Sequence, residues 1–278
     1  MQRKGPRVTE GIKDDPLTYA VNQRDSAVMD MVRQALARRD VMLAFQPVVE
    51  AQRPDKVAFY EALIRIRDET GRVIPAREFI NEIETQELGR IIDCLALDMG
   101  LDTLARVPDL RLSVNMSARS IGYPRWTQTL ERGLARDETI AERLILEITE
   151  SSAMTMPDLI IGFMDEMQLR GITFGLDDFG AGYTAFRYFR DFFFDMLKID
   201  GQFIKGVASN PDNQVLVRAL VSIAKHFEMF TVAEMVADAE DAAFLRSVGI
   251  DCFQGFYFGA PTIRGPWEEE VGGARRTA

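Results

Sequence analysis

An α/β fold, a modified (β/α)8 barrel of TIM-like type with an antiparallel first strand, is what this sequence predicts. Eight short apolar runs alternate with amphipathic stretches long enough to cross back over a sheet. The chain has 278 residues, close to the roughly 250 of a single barrel. Only residues 50–56 join the first two runs, too few for a crossover helix, so those two strands pair antiparallel. An open doubly wound sheet is the competing arrangement, but no Gly-rich fingerprint follows any run.

Residues 1–24 are polar, carry Pro6 and Pro16, and read as a loose leader. Asp25 or Ser26 is placed to cap a helix bearing Val28, Met29, Met31, Val32 and Leu36 at helical spacing. Strand-like runs follow at 43–49, 57–63, 110–116, 144–148, 172–177, 196–199, 230–234 and 251–254. Helical stretches at 91–104, 157–169, 214–227 and 239–248 separate most of them. Pro47 lacks a backbone donor, which marks the first run as an irregular or edge strand. No internal repeat is visible. Residues 25–263 therefore form one barrel domain, and 264–278, with Gly272, Gly273, Arg275 and Arg276, a frayed tail.

The net charge is −10, from 33 basic and 43 acidic residues, with no basic block. Duplex binding relies on clustered Lys and Arg, so a nucleic-acid polymer is excluded as partner, while a small anion held through metal ions is not. Cys94 and Cys252 lie in apolar segments and read as buried reduced thiols of a reducing compartment. The first residues hold no signal-peptide core, and no run approaches the roughly 18 apolar residues of a membrane span, so a cytoplasmic chain is expected. A single histidine, His226, excludes chemistry that needs several imidazoles and reads as a surface or cap residue.

Residues 171–200 organise the rest. An apolar run ends in Asp177 and Asp178, a turn with Gly180 and Gly182 follows, and a second run delivers Lys198 and Asp200. Like charges about 4 Å apart repel by roughly 4 kcal/mol at an effective dielectric near 20, so the pair calls for a cation. Other runs end in Glu61, Asn115, Glu147, Glu234 and Gln254. In a barrel these ends share one rim, where such enzymes carry their chemistry. Oxygen donors without His or Cys suit Mg²⁺ or Mn²⁺ rather than zinc. Strand alternation would send Asp177 and Asp178 to opposite sides and so to two different ions, one residue bridging. Two ions about 3.5–4 Å apart stabilise both the attacking and leaving oxygens of a phosphoryl displacement. Each residue alone has a plainer reading: Glu61 or Glu147 as a solvated carboxylate, Asp177-Asp178 as a turn cap, Lys198 as a surface charge, Asn115 as a turn residue. Unrelated loop charges would not, however, favour the ends of so many runs.

These residues resemble the EAL-domain family of cyclic-di-GMP phosphodiesterases. The triplet stands as Glu61-Ala62-Leu63, followed by Ile64-Arg65. Gln46-Pro47-Val48, Ser113-Val114-Asn115-Met116-Ser117, Leu146-Glu147-Ile148-Thr149-Glu150, Asp177-Asp178-Phe179-Gly180, Leu197-Lys198-Ile199-Asp200, Val232-Ala233-Glu234 and Gln254-Gly255 complete the family order over residues 26–262. The resemblance implies a hydrolase of bacterial second-messenger signalling that opens one phosphodiester bond of cyclic di-GMP to give linear pGpG, with two Mg²⁺ or Mn²⁺ ions. It implies Glu61, Asn115, Glu147 and Asp177 around one ion and Asp177 and Asp178 around the other, with Glu234 reaching the second directly or through water. Water shared by the ions is the implied nucleophile, and Lys198 orients it or stabilises charge on the phosphate; Glu234, Lys198 and Glu61 are the implied catalytic residues. Arg65 grips a substrate phosphate, with Leu63 and Gln46 as further implied substrate contacts and Gln254 touching the second-metal region or the substrate. Glu150 and Asp200 would brace the loop after Asp178.

Three stretches depart from the family pattern. Thr-Gly-Tyr-Ser-Ser after Asp-Asp-Phe-Gly reads Ala181-Gly182-Tyr183-Thr184-Ala185, Glu-Gly-Val-Glu reads Glu234-Met235-Val236-Ala237, and a Ser-Arg pair before proline reads Gly259-Ala260-Pro261. No expected ligand is lost, but loop order and the second ion are put in question. The alternatives are accordingly a weak or inactive receptor that binds cyclic di-GMP and signals through a protein partner, or a structural dimer module. Phe186, Tyr188, Phe189, Phe192, Phe193 and Phe194 divide between core packing and a homodimer contact. Regulation, where present, is assigned to the leader, the dimer or a separate protein.

Overall fold

The computed structural model describes residues 16–180 and 190–268. Helix α1 (Pro16–Arg38) runs through the cap expected at Asp25 or Ser26 and into residues read as leader. Val32 and Ala35 are fully buried, so tertiary packing holds this helix rather than a local cap.

All eight apolar runs form strands: β1 (Val41–Glu50), β2 (Arg53–Arg67), β4 (Leu112–Asn115), β5 (Leu144–Thr149), β6 (Thr173–Phe179), β7 (Met196–Ile199), β8 (Phe230–Ala233) and β9 (Cys252–Gln254). A short β3 (Val73–Pro75) adds antiparallel to the outer end of β2. The ring runs β1-β9-β8-β7-β6-β5-β4-β2 and closes through β1–β2. Strands β2 and β4 to β9 are parallel, and β1 is antiparallel to both its neighbours. Strand β1 is thus irregular, with register shifts around Val49, but it is not the edge that Pro47 suggested. Pro47 lies between the Phe45–Thr262 bridge and the Val48–Gln254 pairing, a gap in which no partner strand needs its missing donor.

Outside the ring lie α2 (Glu87–Arg106), α3 (Pro124–Leu134), α4 (Pro157–Gln168), α5 (Pro211–His226) and α6 (Ala239–Val248). Helix α3 was not among the stretches expected. His226 ends α5 and is exposed. Both cysteines are free thiols; Cys94 is buried and Cys252 half-buried, and burial raises them to about 11 and about 12. Beyond Arg264, Trp267 meets Phe45 and Tyr60 edge-on at 4.9 and 5.3 Å, and residues 269–278 of the expected tail lie outside the described residues. Phe192 and Phe194 are buried and stacked while Phe193 is 66 % exposed; Ala181 to Ala185, Phe186, Tyr188 and Phe189 lie outside the described residues. Among the described residues no helix is long and apolar enough to cross a membrane.

Period-two alternation builds the inside of the barrel. Val48, Phe59, Ile145, Met196 and Val232 pack together as an apolar plug with Cys252 against it. Two residues further toward the mouth on the same strands stand Gln46, Glu61, Glu147, Lys198, Glu234 and Gln254. A greasy floor thus carries a polar storey.

Candidate active site

Lys198 is the hub of that storey and is only 1 % exposed. Its ammonium lies 2.9 Å from Asp177 Oδ1, 2.9 Å from Glu234 Oε1, 3.0 Å from Glu147 Oε2 and 3.4 Å from Glu61 Oε2. Asn115 Nδ2 donates to Glu61 Oε1 at 2.8 Å, which keeps the amide oxygen for another partner. Gln254 Nε2 donates to Glu61 Oε2 at 2.5 Å and lies 3.3 Å from Gln46 Oε1. Gln46 Nε2 in turn donates to Gly259 O. The two glutamines therefore orient Glu61 from β1 and β9. The resemblance implied a substrate contact for Gln46 and a contact with the second-metal region or substrate for Gln254.

Asp177 and Asp178 do not part as strand alternation required. The β6–β7 register slips between Leu176 and Phe179, and Asp178 takes a left-handed φ of 53°. Such a bulge re-aims side chains beside many sites. It leaves Asp177, Asp178 and Glu234 with oxygens all within 4.8 Å of one another; Glu61, Glu147 and Asp177 form a second group on the same criterion. Met235, next to Glu234, is also left-handed, with φ 54°. For a residue with a side chain that conformation costs roughly 1–2 kcal/mol, so the surrounding contacts must enforce it.

Five carboxylates facing one ammonium leave an excess of negative charge in a place with little water. Burial opposes the charge of Lys198, but Asp177, Glu147, Glu234 and Glu61 outweigh it and hold the lysine well above its ordinary value. Burial likewise works against ionised Glu61, yet Lys198, Gln254 and Asn115 bring it below the usual carboxylate range. Glu147 goes the other way: burial, with Glu61 and Asp177 beside it, pushes it up to about 8 despite Lys198. Burial and Asp177 push Asp178 up to about 6, and burial raises Glu234 well above its ordinary value. Glu147 Oε1 and Gln254 Oε1 are buried without a hydrogen bond, and so is Asp177 Oδ1, whose approach to Lys198 is purely ionic.

The loop that follows Asp178 is held from below. Gly180 N donates to Glu150 Oε2 at 3.0 Å, and Gln202 Nε2 donates to Gly180 O at 2.8 Å. Asp200 caps the one-turn helix Gly201–Ile204 by accepting from Gln202 N at 2.7 Å. Across the mouth, buried Asp93 accepts from Ser117 N and Ser120 Oγ and so holds the turn after Asn115. Gln202 and Asp93 were missed, because nothing in a lone amide or helical acid announces a partner 22 or 24 residues away. Leu63 and Arg65 follow Glu61 on the same face of β2. Arg65 is half-buried and gives Nη1 to Ile64 O; burial lowers it, with Glu61 opposing and Arg77 adding. It touches none of the clustered carboxylates among the described residues.

A family model for the EAL domain matches residues 29–261. Cyclic di-GMP phosphodiesterase PdeF of Escherichia coli (strain K12) is 30% identical over 239 residues, which cover 84% of this chain and 32% of PdeF. The chain spans about a third of the length of the curated relatives it matches. The PaMucR phosphodiesterase in its c-di-GMP complex superposes with a TM-score of 0.78 at 29% identity, over 88% of this chain and 99% of that one. The Klebsiella pneumoniae BlrP1 manganese/cy-diGMP complex superposes with a TM-score of 0.70 at 26% identity, over 80% of this chain and 56% of that one.

Proposed function

Because this chain belongs to the EAL-domain family, we propose that its barrel mouth hydrolyses cyclic di-GMP to linear pGpG with two divalent cations, Mg²⁺ or Mn²⁺. One observation carries the reading: carboxylates carried by four different strands, β2, β5, β6 and the end of β8, converge on Lys198 in excess of its charge. Burial then pushes Glu147 and Glu234 toward protonation, and protons are what hard cations would displace. Glu147 Oε1, buried without a hydrogen bond, suits the same ions. Glu61, Asn115, Glu147 and Asp177 would hold one ion, and Asp177, Asp178 and Glu234 the other. When bound, the ions supply charge neutralisation at the phosphate and an acidified water.

This chain's own residues do the rest. Lys198, kept cationic by its neighbours, places a fixed positive charge where negative charge grows on the phosphate. Gln46 and Gln254 hold Glu61 in one orientation. Arg65 stands above the mouth on the extension of β2, where its planar fork suits the phosphate that does not react. Leu63, on the same face, offers an apolar contact to a base. Glu150, Gln202 and Asp200 keep the loop after Asp178 in place. Water adds its oxygen to one phosphorus, the P–O3′ bond breaks, and a proton equivalent to the one water loses ends on the released 3′ oxygen.

Chromatography of cyclic di-GMP incubated with the purified chain tests this. We expect pGpG with Mg²⁺ or Mn²⁺, none after chelation, and none from Glu61→Ala. Tight nucleotide binding without product under either metal would instead make the chain a receptor.

A further inference from the structure

Met235 combines features that burial does not explain. Its side chain is 49 % exposed, yet its backbone is held left-handed. Hydrogen bonds pin the chain on either side: Glu234 N donates to Ile199 O at 3.2 Å and Val236 N to Gln254 O at 3.0 Å. The turn at 235 therefore sets how Glu234 and Gln254 stand to each other. Its side chain lies on Gly201, where a Cβ would come 2.5 Å from Met235 Sδ and 2.7 Å from its Cγ. Gly201 opens the one-turn helix whose next residues hold Gly180, Gln202 by a hydrogen bond and Phe203 by laying its ring where a Gly180 Cβ would sit. Gly180 lies two residues beyond Asp178.

We propose that Met235 is a positioning residue: seated on Gly201, it locks the turn carrying Glu234 to the short helix that holds the loop after Asp178. Glu234 and Asp178 thereby keep the spacing that the second ion requires. This deepens the two-ion reading above and rests on it.

Calorimetric titration with Mn²⁺, thermal melting and amide hydrogen exchange at Gly180 test the role without reference to turnover. Met235→Gly should weaken the weaker Mn²⁺ step roughly tenfold, while Met235→Leu stays within about twofold of the parent. Gly180 should exchange faster in Met235→Gly, yet that variant should melt no lower than the parent, because glycine adopts a left-handed φ freely. Gly201→Ala crowds the contact from the other side and should weaken Mn²⁺ binding as well, so it decides the matter if Met235→Gly does not fold. Placing Met235→Gly in the Gly201→Ala background should add no further loss. Parent-like binding of both ions by Met235→Gly, or a Met235→Leu as weak as Met235→Gly, overturns the proposal. A parent chain that takes up no Mn²⁺ overturns the two-ion reading and this inference together.

Discussion

Lys198 and Asp93 are both buried charges with opposite consequences. Lys198 is surrounded by its counter-ions, whereas Asp93 accepts from Ser120 and Ser117, and burial, with Glu84 adding, pushes its carboxyl up to about 6 against those two donors. In the unfolded chain this acid titrates near 3.9. Between pH about 4 and 6 the folded state therefore holds more protons than the unfolded one, so stability falls as pH rises through that window. Above it the ionised group costs about 3 kcal/mol. Asp93→Asn can accept the same two hydrogen bonds and cannot ionise. Melts from pH 4 to 7 should show the parent losing stability relative to Asp93→Asn, and parallel curves would refute the assignment. The ligand-type residues themselves were legible, because a carboxylate or amide ending an apolar run is a local fact. Lys198 was legible as a run-end residue in the same way, but read alone it is a surface lysine, and the four acids around it make it a buried hub.

Strand β6 shows what an element adds to its residues. An ideal strand would separate Asp177 from Asp178, and the bulge with a left-handed Asp178 keeps them together. Gly180 continues that irregularity at φ 97°, with the Phe203 ring filling the space of its absent Cβ. Gly180→Ala should accordingly lose more than about 1 kcal/mol in denaturant unfolding. A loss confined to activity would mean that the loop moves aside freely. Helix α3 was overlooked although its signal was present: Pro124 starts it, and Trp126, Thr129, Leu130 and Gly133 form its buried face at helical spacing. Gly133 is where Leu101 of α2 presses close, a contact that a sequence pattern does not display. Strand β2 outran its expected end because β1 and β3 supply partners as far as Arg67.

Closure of the ring governs the whole molecule. Strand β1 seals the barrel between β2 and β9, and Trp267 clamps that seam by packing on Phe45 of β1 and Tyr60 of β2. Removing a half-buried indole that bridges two strands should cost about 3 kcal/mol, the low end for Trp→Ala. Thermal or urea unfolding of Trp267→Ala checks this, and an unchanged midpoint would return the segment after Arg264 to a dispensable tail. The residue order by itself determined the eight strands of the ring, the reversed first strand and the donor chemistry at the ends of the apolar runs. Those depend on chain length and on period-two or helical spacing, which are local. Only the tertiary structure decided that Gln254 reaches Glu61 across 193 residues, that Asp177, Asp178 and Glu234 bring oxygens within 4.8 Å of one another, and that Glu147 and Glu61 shift in opposite directions. The reason is physical: distances between remote groups, and the exclusion of water that sets their charge, exist only once the barrel is closed.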